Sequence, residues 1–541
     1  MALLVALLCG LFPALSLSAS VDAVAARGVD TIAVEDGQGD RDEALWAGIS
    51  ADVRDEIYDA TAGSLSRYRI AVEITPPTSE DELTSIEGTV DLLFVNPLED
   101  PLDEVVFRLY SNDVRYGAGT MEVDDVEVDG EAAGVDLSEE DTVATVALPD
   151  ELEPGDAVTI TYAFAGVVDN EPAGSYGMYT FSPDSGTLAL AHWYPMLAGL
   201  TPDGGWNTEP VSVNSDPVYT TSALYDVSLS MPGSWQVAAS GVEVASDEDG
   251  DLTTRQYVTG PSRDFTIVAD ETFEQIEQEI GGTVVVSWFE PEDEDGGQEV
   301  LDAGVATLEH FEPLLGDYPY GEMDLVQVSV GNGAAGIEFP QLMFIGGAYY
   351  DDPPTEGNRV SFLESLVVHE VLHQWFYGIV GNNHYDHAWQ DESLANFLMA
   401  YFYELEYGPE TYEAAYLGDI EIPFMRYLFG VNDVVVDTPS DDFETANDYV
   451  IAAYYKGAIG MRVILDEIGE EAFFEGLSAY VGNHRFAVAT PDDLFAAWED
   501  ASGEDLSPIR DHWFESADAA DDYTEADLEA AEQRLQELRQ A

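Results

Sequence analysis

Near residue 275 the hydrophobic pattern of this 541-residue chain changes period, and the change divides it into two kinds of structure. From Tyr68 onward apolar residues alternate with polar ones. Tyr68–Ile74, Thr89–Val95, Glu104–Tyr110 and Ala157–Phe164 read as strands, and Ala223–Leu229 and Thr283–Phe289 continue the series between turns rich in Pro, Gly and Asp. Residues 65–275 are therefore expected to form an N-terminal antiparallel β-sandwich-like domain. Beyond it the spacing becomes helical, over Gln298–Leu315, Ser361–Tyr377, Glu392–Leu405, Tyr449–Ile468 and Pro491–Ala501. Strands are expected at Met323–Val330 and Ala335–Phe344, so residues 276–515 read as an α+β domain. The whole is a multidomain α and β protein. Residues 21–64 read as an acidic, loosely docked linker with a helix around Glu43–Asp59. Residues 516–541 read as a charged helical tail with no strong apolar stripe. No internal repeat is present.

Charge narrows the function classes. The net charge is −91 and the sequence pI is about 4.1, with the acidic excess spread along the chain. Such a surface repels nucleic-acid phosphates and anionic membranes and attracts cationic groups such as a peptide's free amine. It is self-repulsive in dilute buffer and screened in molar salt, where the Debye length falls to about 3 Å, so a halophilic protein is expected. An acidic calcium store is disfavoured by the regular hydrophobic patterning. The acidic stretches Ser246–Asp251 and Glu290–Asp295 read as solvated loops, since neither completes a calcium loop. The single cysteine, Cys9, excludes an intrachain disulfide. Cys9 lies in an apolar run, Met1–Ser20, whose length suits a secretory signal or N-terminal anchor, with lipid attachment at Cys9 disfavoured by Leu8. The mature chain is expected to be exported, extracellular or at the cell surface, without extended membrane contact.

Residues 369–373 read His-Glu-Val-Leu-His. On a helix, positions i and i+4 share a face, so His369 and His373 can address one ion. Imidazole nitrogen suits Zn²⁺, and a catalytic zinc site keeps three protein ligands and one open position. Glu370 sits where it can reach an attacking water, the arrangement of a metallopeptidase general base. A bland reading, a core helix with two satisfied histidines, leaves Glu370 without a purpose. The third ligand must come from elsewhere. A metzincin carries a histidine six residues after the second one, and that position is Ile379. Glu392, nineteen residues after His373 at the start of the next expected helix, can be returned to the metal by a short loop. His384 and His387, inside that loop, are expected to be loop or pocket residues.

The stretch from His369 to Ala395 resembles the zinc gluzincin family of alanyl aminopeptidase and the leukotriene hydrolases. It has HExxH, eighteen intervening residues, then Glu, and HQWF starting at the second histidine. The resemblance extends over about residues 65–515. It implies an N-terminal β domain followed by a thermolysin-like catalytic domain, and one catalytic Zn²⁺ held by His369, His373 and Glu392. Two further segments agree. Gly336-Ile337-Glu338-Phe339 is similar to the family's Gly-x-Met-Glu-Asn strand. The resemblance implies that Glu338, with Gly336 beside it, binds the free α-amine of the substrate. Tyr454-Tyr455-Lys456-Gly457 is similar to the family's Tyr-x-Lys-Gly motif, which implies that Tyr454 donates to the developing oxyanion, with Tyr455 as the alternative. Lys456 is the chain's single lysine, which makes a specific job for it plausible.

The chain departs from the family at Ile337 and Phe339, and at Asp391, where asparagine conventionally precedes the third ligand. The stretch His192–Ala198 matches the β-domain signature loosely, and no counterpart is found for the β-domain glutamine that helps hold the amine. The chain ends soon after the catalytic region, so a more open cleft is expected. The expectation is a zinc metallopeptidase acting on peptides, an aminopeptidase removing N-terminal residues. The alternatives are a thermolysin-like endopeptidase and an inactive peptide-binding relative. The oligomeric state is not legible.

Overall fold

The computed structural model describes residues 44–540 apart from 80–81, 117–119, 171–175, 202–203, 213, 215–218, 332–333 and 352–359. The expected leader and the linker up to residue 43 lie outside the described residues.

The alternating segments form two sheets around one core. A twelve-stranded sheet contains the pair Ser66–Thr75 and Ala223–Pro232, running parallel, with Thr84–Val95 and then Ala157–Asn170 following antiparallel beyond Ser66–Thr75. A four-stranded sheet is built from Leu102–Arg108, Val135–Ser138, Val143–Leu152 and Met196–Leu197. Period-two residues of the first sheet (Ile70, Val72, Leu92, Ile160) and of the second (Val105, Phe107, Val146) meet in the same core, as two facing pleated surfaces require. The stretch Ser246–Asp249, expected as a loop, is the outer end of the edge strand Val242–Asp249, which pairs with Leu252–Ser262.

After Ile267–Asp270 the chain enters a five-stranded sheet in the order Glu274–Ile280, Thr283–Phe289, Glu322–Val328, Leu342–Gly346, Gly336–Ile337. Its three central strands are parallel and both outer ones antiparallel. Thr283–Phe289 thus belongs to the second domain rather than continuing the first. This sheet is the wall between the two halves. Met323, Leu325, Met343 and Ile345 face the helical core, while Val326, Val328, Leu342 and Phe344 face the β-domain core. Both faces are covered, so apolar residues occupy both sides of these strands, apart from buried polar side chains such as Asp324 and Gln327. Arg263 ties the halves together. Its buried guanidinium donates to the carbonyls of Thr220 (2.9 Å), Tyr377 (2.7 Å) and Ala487.

Three expectations are corrected. The helix in the leading segment is Arg54–Thr61, and the segment is not loosely docked. Leu45, Trp46 and Ile49 are buried in the helical core, Ile49 bridges to Tyr320, and the Arg54 guanidinium caps the Ile49 carbonyl at 2.6 Å. The single strand expected over Ala335–Phe344 is two short strands around a turn, because Pro340 has no N–H for a ladder and Gln341 is left-handed at φ 68°. The tail helix, Glu525–Leu538, has an apolar face after all. Ala531 and Leu535 are buried against Leu417, Ile422 and Met425, with Leu528 and Leu538 packed beside them. No helix among the described residues is long and apolar enough to cross a membrane.

Candidate metal centre

The motif helix runs Phe362–Leu372. Ser361 caps it, its hydroxyl accepting from the Glu364 amide at 2.9 Å. Leu363, Val367, Val368, Val371 and Leu372 are all buried, so the helix has no free apolar face and is fixed in rotation. The helix expected to continue to Tyr377 stops at Leu372, since the chain turns back through a Phe376–Val380 bridge with Tyr377 at φ 110°. That turn feeds the helix Trp389–Tyr407, which starts three residues earlier than expected and puts Glu392 in its first turn. A carboxylate is favoured there by the helix dipole.

The two helices bring three side chains to one point. His369 Nε2 and His373 Nε2 are 3.1 Å apart, and Glu392 Oε2 lies 3.3 Å from the first and 3.4 Å from the second. A tetrahedral zinc ion at about 2.0–2.1 Å from each donor needs donors roughly 3.3 Å apart. The residues therefore fit a zinc ion in donor type and spacing. His373 Nδ1 lies 3.2 Å from the Phe376 carbonyl, which can only accept, so that nitrogen carries a proton and Nε2 is the one left to present a lone pair to an ion, or a proton to Glu392 without one. Burial would raise the Glu392 carboxyl, but hydrogen bonds from His369 and His373 hold it well below its usual range. Burial opposes charge on His373, yet Glu338, Glu392 and Asp391 push it well above the ordinary imidazole value. A site that negative selects a cation.

Glu370 is buried beside Gly336. A Cβ at Gly336 would stand 2.4 Å from Glu370 Oε1, so the glycine clears room for this carboxylate. Glu338 follows directly, in the turn after Gly336–Ile337 rather than on the strand. Its carboxylate, a ring nitrogen of His373 and an oxygen of Asp391 lie within 4.8 Å of one another. Gln374 holds this turn. Its Oε1 accepts from the Gln341 amide at 2.8 Å and its Nε2 faces the Glu338 and Phe339 carbonyls at 3.4 and 3.3 Å. Gln374 was given no role from the sequence, although it directly follows the second histidine.

Tyr454 reaches the same centre. Its hydroxyl donates to Glu392 Oε1 and its ring stacks on His369, centroids 5.9 Å apart. Tyr455 makes neither contact. The helix expected over Tyr449–Ile468 is interrupted by a wider π-helical turn, Ile451–Lys456. Ser393 and Asn396, on the Glu392 helix, take the Ala453 and Tyr454 carbonyls at 2.6 Å each. Lys456 lies away from the centre. It is buried, 3.0 Å from Asp433, and donates to the Val434 and Ser516 carbonyls. His387 pairs with Asp437 at 2.6 Å, and His384 lies 3.1 Å from Asp391, so neither joins the three-residue set. His192 is buried at the domain junction, its Nδ1 2.5 Å from the Tyr116 hydroxyl and its ring against Phe339.

Residues 300–513 match the model of the peptidase family M1 domain. Aminopeptidase M1 of Arabidopsis thaliana is 25% identical over 391 residues, 71% of this chain and 43% of the relative. Probable aminopeptidase 1 of Sulfurisphaera tokodaii is 22% identical over 418 residues, 76% of this chain and 50% of the relative. The chain thus spans about half the length of these curated relatives or less. The fold is similar to that of the M1 zinc metallopeptidase from Deinococcus radiodurans, with a TM-score of 0.60 at 17% identity over 84% of this chain and 94% of that one.

Proposed function

We propose that this chain, whose residues 300–513 match the peptidase family M1 domain, is a zinc-dependent aminopeptidase of that family that removes N-terminal residues from peptides with one catalytic ion. The observation that carries the reading is the convergence of His369, His373 and Glu392 at tetrahedral donor separations, with Glu370 and Glu338 placed beside them. The aminopeptidases among its relatives support it, and the Deinococcus radiodurans metallopeptidase is known in a form bound to a Tyr-Ser-Ala substrate.

A zinc ion in this donor set supplies Lewis acidity, polarising the scissile carbonyl and lowering the pKa of water towards about 7. Glu370, buried and braced against Gly336, takes the proton of the attacking water on its carboxylate and returns it to the leaving amine. Tyr454 turns its hydroxyl from Glu392 to the developing oxyanion. Glu338 holds the substrate's ammonium, which sets the first peptide bond over the donor set. The Gln374 contacts keep the Glu338 turn at a fixed distance from the motif helix.

The test is hydrolysis of one short peptide in free-amine and N-acetylated forms, in molar salt, with and without a zinc chelator. Chelator-sensitive cleavage of the free-amine form alone is expected, and Glu370→Gln is expected to abolish it while zinc stays bound. Cleavage of both forms would replace the reading with an endopeptidase. No cleavage of either form by zinc-loaded protein would replace it with a peptide-binding protein.

A further inference from the structure

We propose that Arg263, a residue of the β domain, is a positioning residue for the metal ligand His373 and acts on it through the turn Phe376–Val380. This goes beyond the aminopeptidase reading and rests on its zinc part. Arg263 follows the strand Leu252–Ser262 and is 1% exposed. Its guanidinium is given to backbone carbonyls. Nη1 donates to Thr220 in the β domain at 2.9 Å, Nη2 to Ala487, and Nε to Tyr377 at 2.7 Å. A buried charge held this way, in a chain with only 17 Lys+Arg against 108 Asp+Glu, is a demanding arrangement and points to a specific task.

The Tyr377 arm leads to the metal ligand. His373 is the residue that caps the C-terminus of Phe362–Leu372, so the helix alone does not fix its ring. The outer partner of that ring is the Phe376 carbonyl, 3.2 Å from Nδ1. The Phe376 and Tyr377 carbonyls lie on the two peptide planes that meet at the Tyr377 Cα. Tyr377 stands at φ 110°, in the left-handed region, which a non-glycine residue keeps only where its surroundings hold it. Arg263 holds one of the two planes, and the other orients the imidazole. Rotation of the first therefore moves the acceptor that sets the ligand, and outer partners of this kind tune metal affinity. The same turn is clamped on its far side. The Gly381 amide donates to the Ala487 carbonyl at 2.9 Å, the acceptor it shares with Arg263 Nη2, and the Ala489 amide donates back to Gly381 at 2.8 Å. A Cβ at Gly381 would stand 2.2 Å from Arg263 Cζ, so the chain passes directly over the guanidinium. The Tyr377 ring packs edge-on against His384, in the connection that returns Glu392. Docking of the β domain is thus built into the metal-ligand set.

The experiment measures zinc affinity by competition with a chelator, well below Tm, in the full chain and in two variants. Arg263→Lys keeps the charge but cannot span three carbonyls. Gly381→Ala keeps the arginine and pushes its guanidinium aside, and Gly381 is outside the left-handed region, so alanine there acts through that clash. The visible absorption of the cobalt-loaded proteins reads the ligand geometry alongside. Ile160→Ala, fully buried in the β-domain core, is the control for lost stability alone. Both variants are expected to lose zinc affinity by about tenfold or more and to shift the cobalt spectrum, with the control within about twofold of wild type. Wild-type affinity and spectrum in Arg263→Lys would overturn the proposal. An equal loss of affinity in Ile160→Ala would overturn it too, by tracing the effect to general destabilisation. If Arg263→Lys does not fold, Gly381→Ala decides alone, and an unchanged zinc affinity there overturns the proposal. The wild-type protein separates this from the aminopeptidase reading. If it binds zinc and cleaves only the free-amine peptide while the variants keep their zinc affinity, only this inference fails. If it binds zinc and cleaves no peptide, the aminopeptidase reading fails and the zinc data still decide the role of Arg263. If it binds no zinc, both fail.

Discussion

The Tyr454 hydroxyl donates a hydrogen bond to Glu392, the carboxylate that faces both His369 and His373, while the Tyr454 ring stacks on His369. The tyrosine is thus held against the metal-ligand set by the same helix that carries the third ligand. Ser393 and Asn396 of that helix take the Ala453 and Tyr454 carbonyls, and the turn between them widens to a π-helix. Gly457 completes the close approach, since a Cβ there would stand 1.9 Å from the Ser393 hydroxyl. Single-turn π-helical insertions are concentrated at functional sites, and this one aims a hydroxyl.

Removal of that hydroxyl tests its role. A positioned donor to an oxyanion is worth about 2.7–4 kcal/mol in the transition state. Tyr454→Phe is expected to lower kcat by about 10²–10³ with KM within about threefold, because the donor acts on charge that develops only during reaction. Steady-state kinetics on a free-amine dipeptide measure this, and a fully active variant would remove Tyr454 from the mechanism.

Gly336 makes a second, steric prediction. Its replacement by alanine puts a methyl group 2.4 Å from Glu370 Oε1, closer than two non-bonded atoms can stand. The carboxylate must move, and misplacement by about 1 Å costs on the order of 10²-fold in rate. Gly336→Ala is expected to lose turnover while keeping zinc and nearly all of its Tm. Unchanged kcat would show that Glu370 can act from elsewhere.

The centre was legible in the sequence because its core is local. His369, Glu370 and His373 lie within one helical turn, and one short connection returns Glu392. The change of period near residue 275 is legible for the same reason, since periodicity is a property of neighbouring residues. What escaped depends on contacts between distant segments. The Ser393–Ala453 bond joins residues 60 apart, and Gln374 reaches a turn 33 residues upstream. The leading segment escaped differently. Leu45, Trp46 and Ile49 are three apolar side chains in an acidic stretch with no strong period, and only their burial shows that they belong to the helical core.

Lys456 carries a stability prediction. It is fully buried against Asp433 at 3.0 Å, and burial, more than any neighbour, pulls its pKa down, while Asp433 pushes the other way. Asp433 in turn accepts from the Ala519 amide at 2.8 Å. Removing one member of a buried pair strands the other, at about 3–5 kcal/mol. Lys456→Met is expected to lower stability by that order, and adding Asp433→Leu to recover part of it. Denaturant unfolding of the two variants checks the sign, and an additive double variant would show that the pair is not coupled.

Glu322 sets a pH dependence. Burial, then the carboxylates of Glu277 and Glu243, raises its pKa to about 7, and its neighbour Asp324 is raised as well. A carboxyl raised on folding binds its proton more tightly in the native state. Its contribution is therefore fully present below the unfolded value of 4.5 and is lost as pH rises towards 7, a change on the order of 3 kcal/mol. Tm is expected to fall between pH 5 and pH 8, and Glu322→Gln to raise Tm at pH 8 while leaving it unchanged at pH 5. Equal effects at both values would show that the residue does not titrate in this window.

Salt dependence follows from the charge and from where it sits. The edge strand Val242–Asp249 of the twelve-stranded sheet exposes Glu243, Asp247, Glu248 and Asp249, a row of like charges. Such a row keeps an open edge from pairing with another sheet, and it also repels the rest of an acidic surface. At 0.1 M salt the Debye length is about 10 Å and spans several of these charges, whereas at 1 M it is about 3 Å and spans almost none. Tm is expected to rise by about 10 °C or more between those concentrations. If screening is the cause, KCl and tetramethylammonium chloride at equal ionic strength act alike. Substitution of Asp247, Glu248 and Asp249 by their amides then reduces the dependence. A Tm that ignores salt would refute the halophilic reading, and a rise with KCl alone would assign it to bound potassium instead of screening.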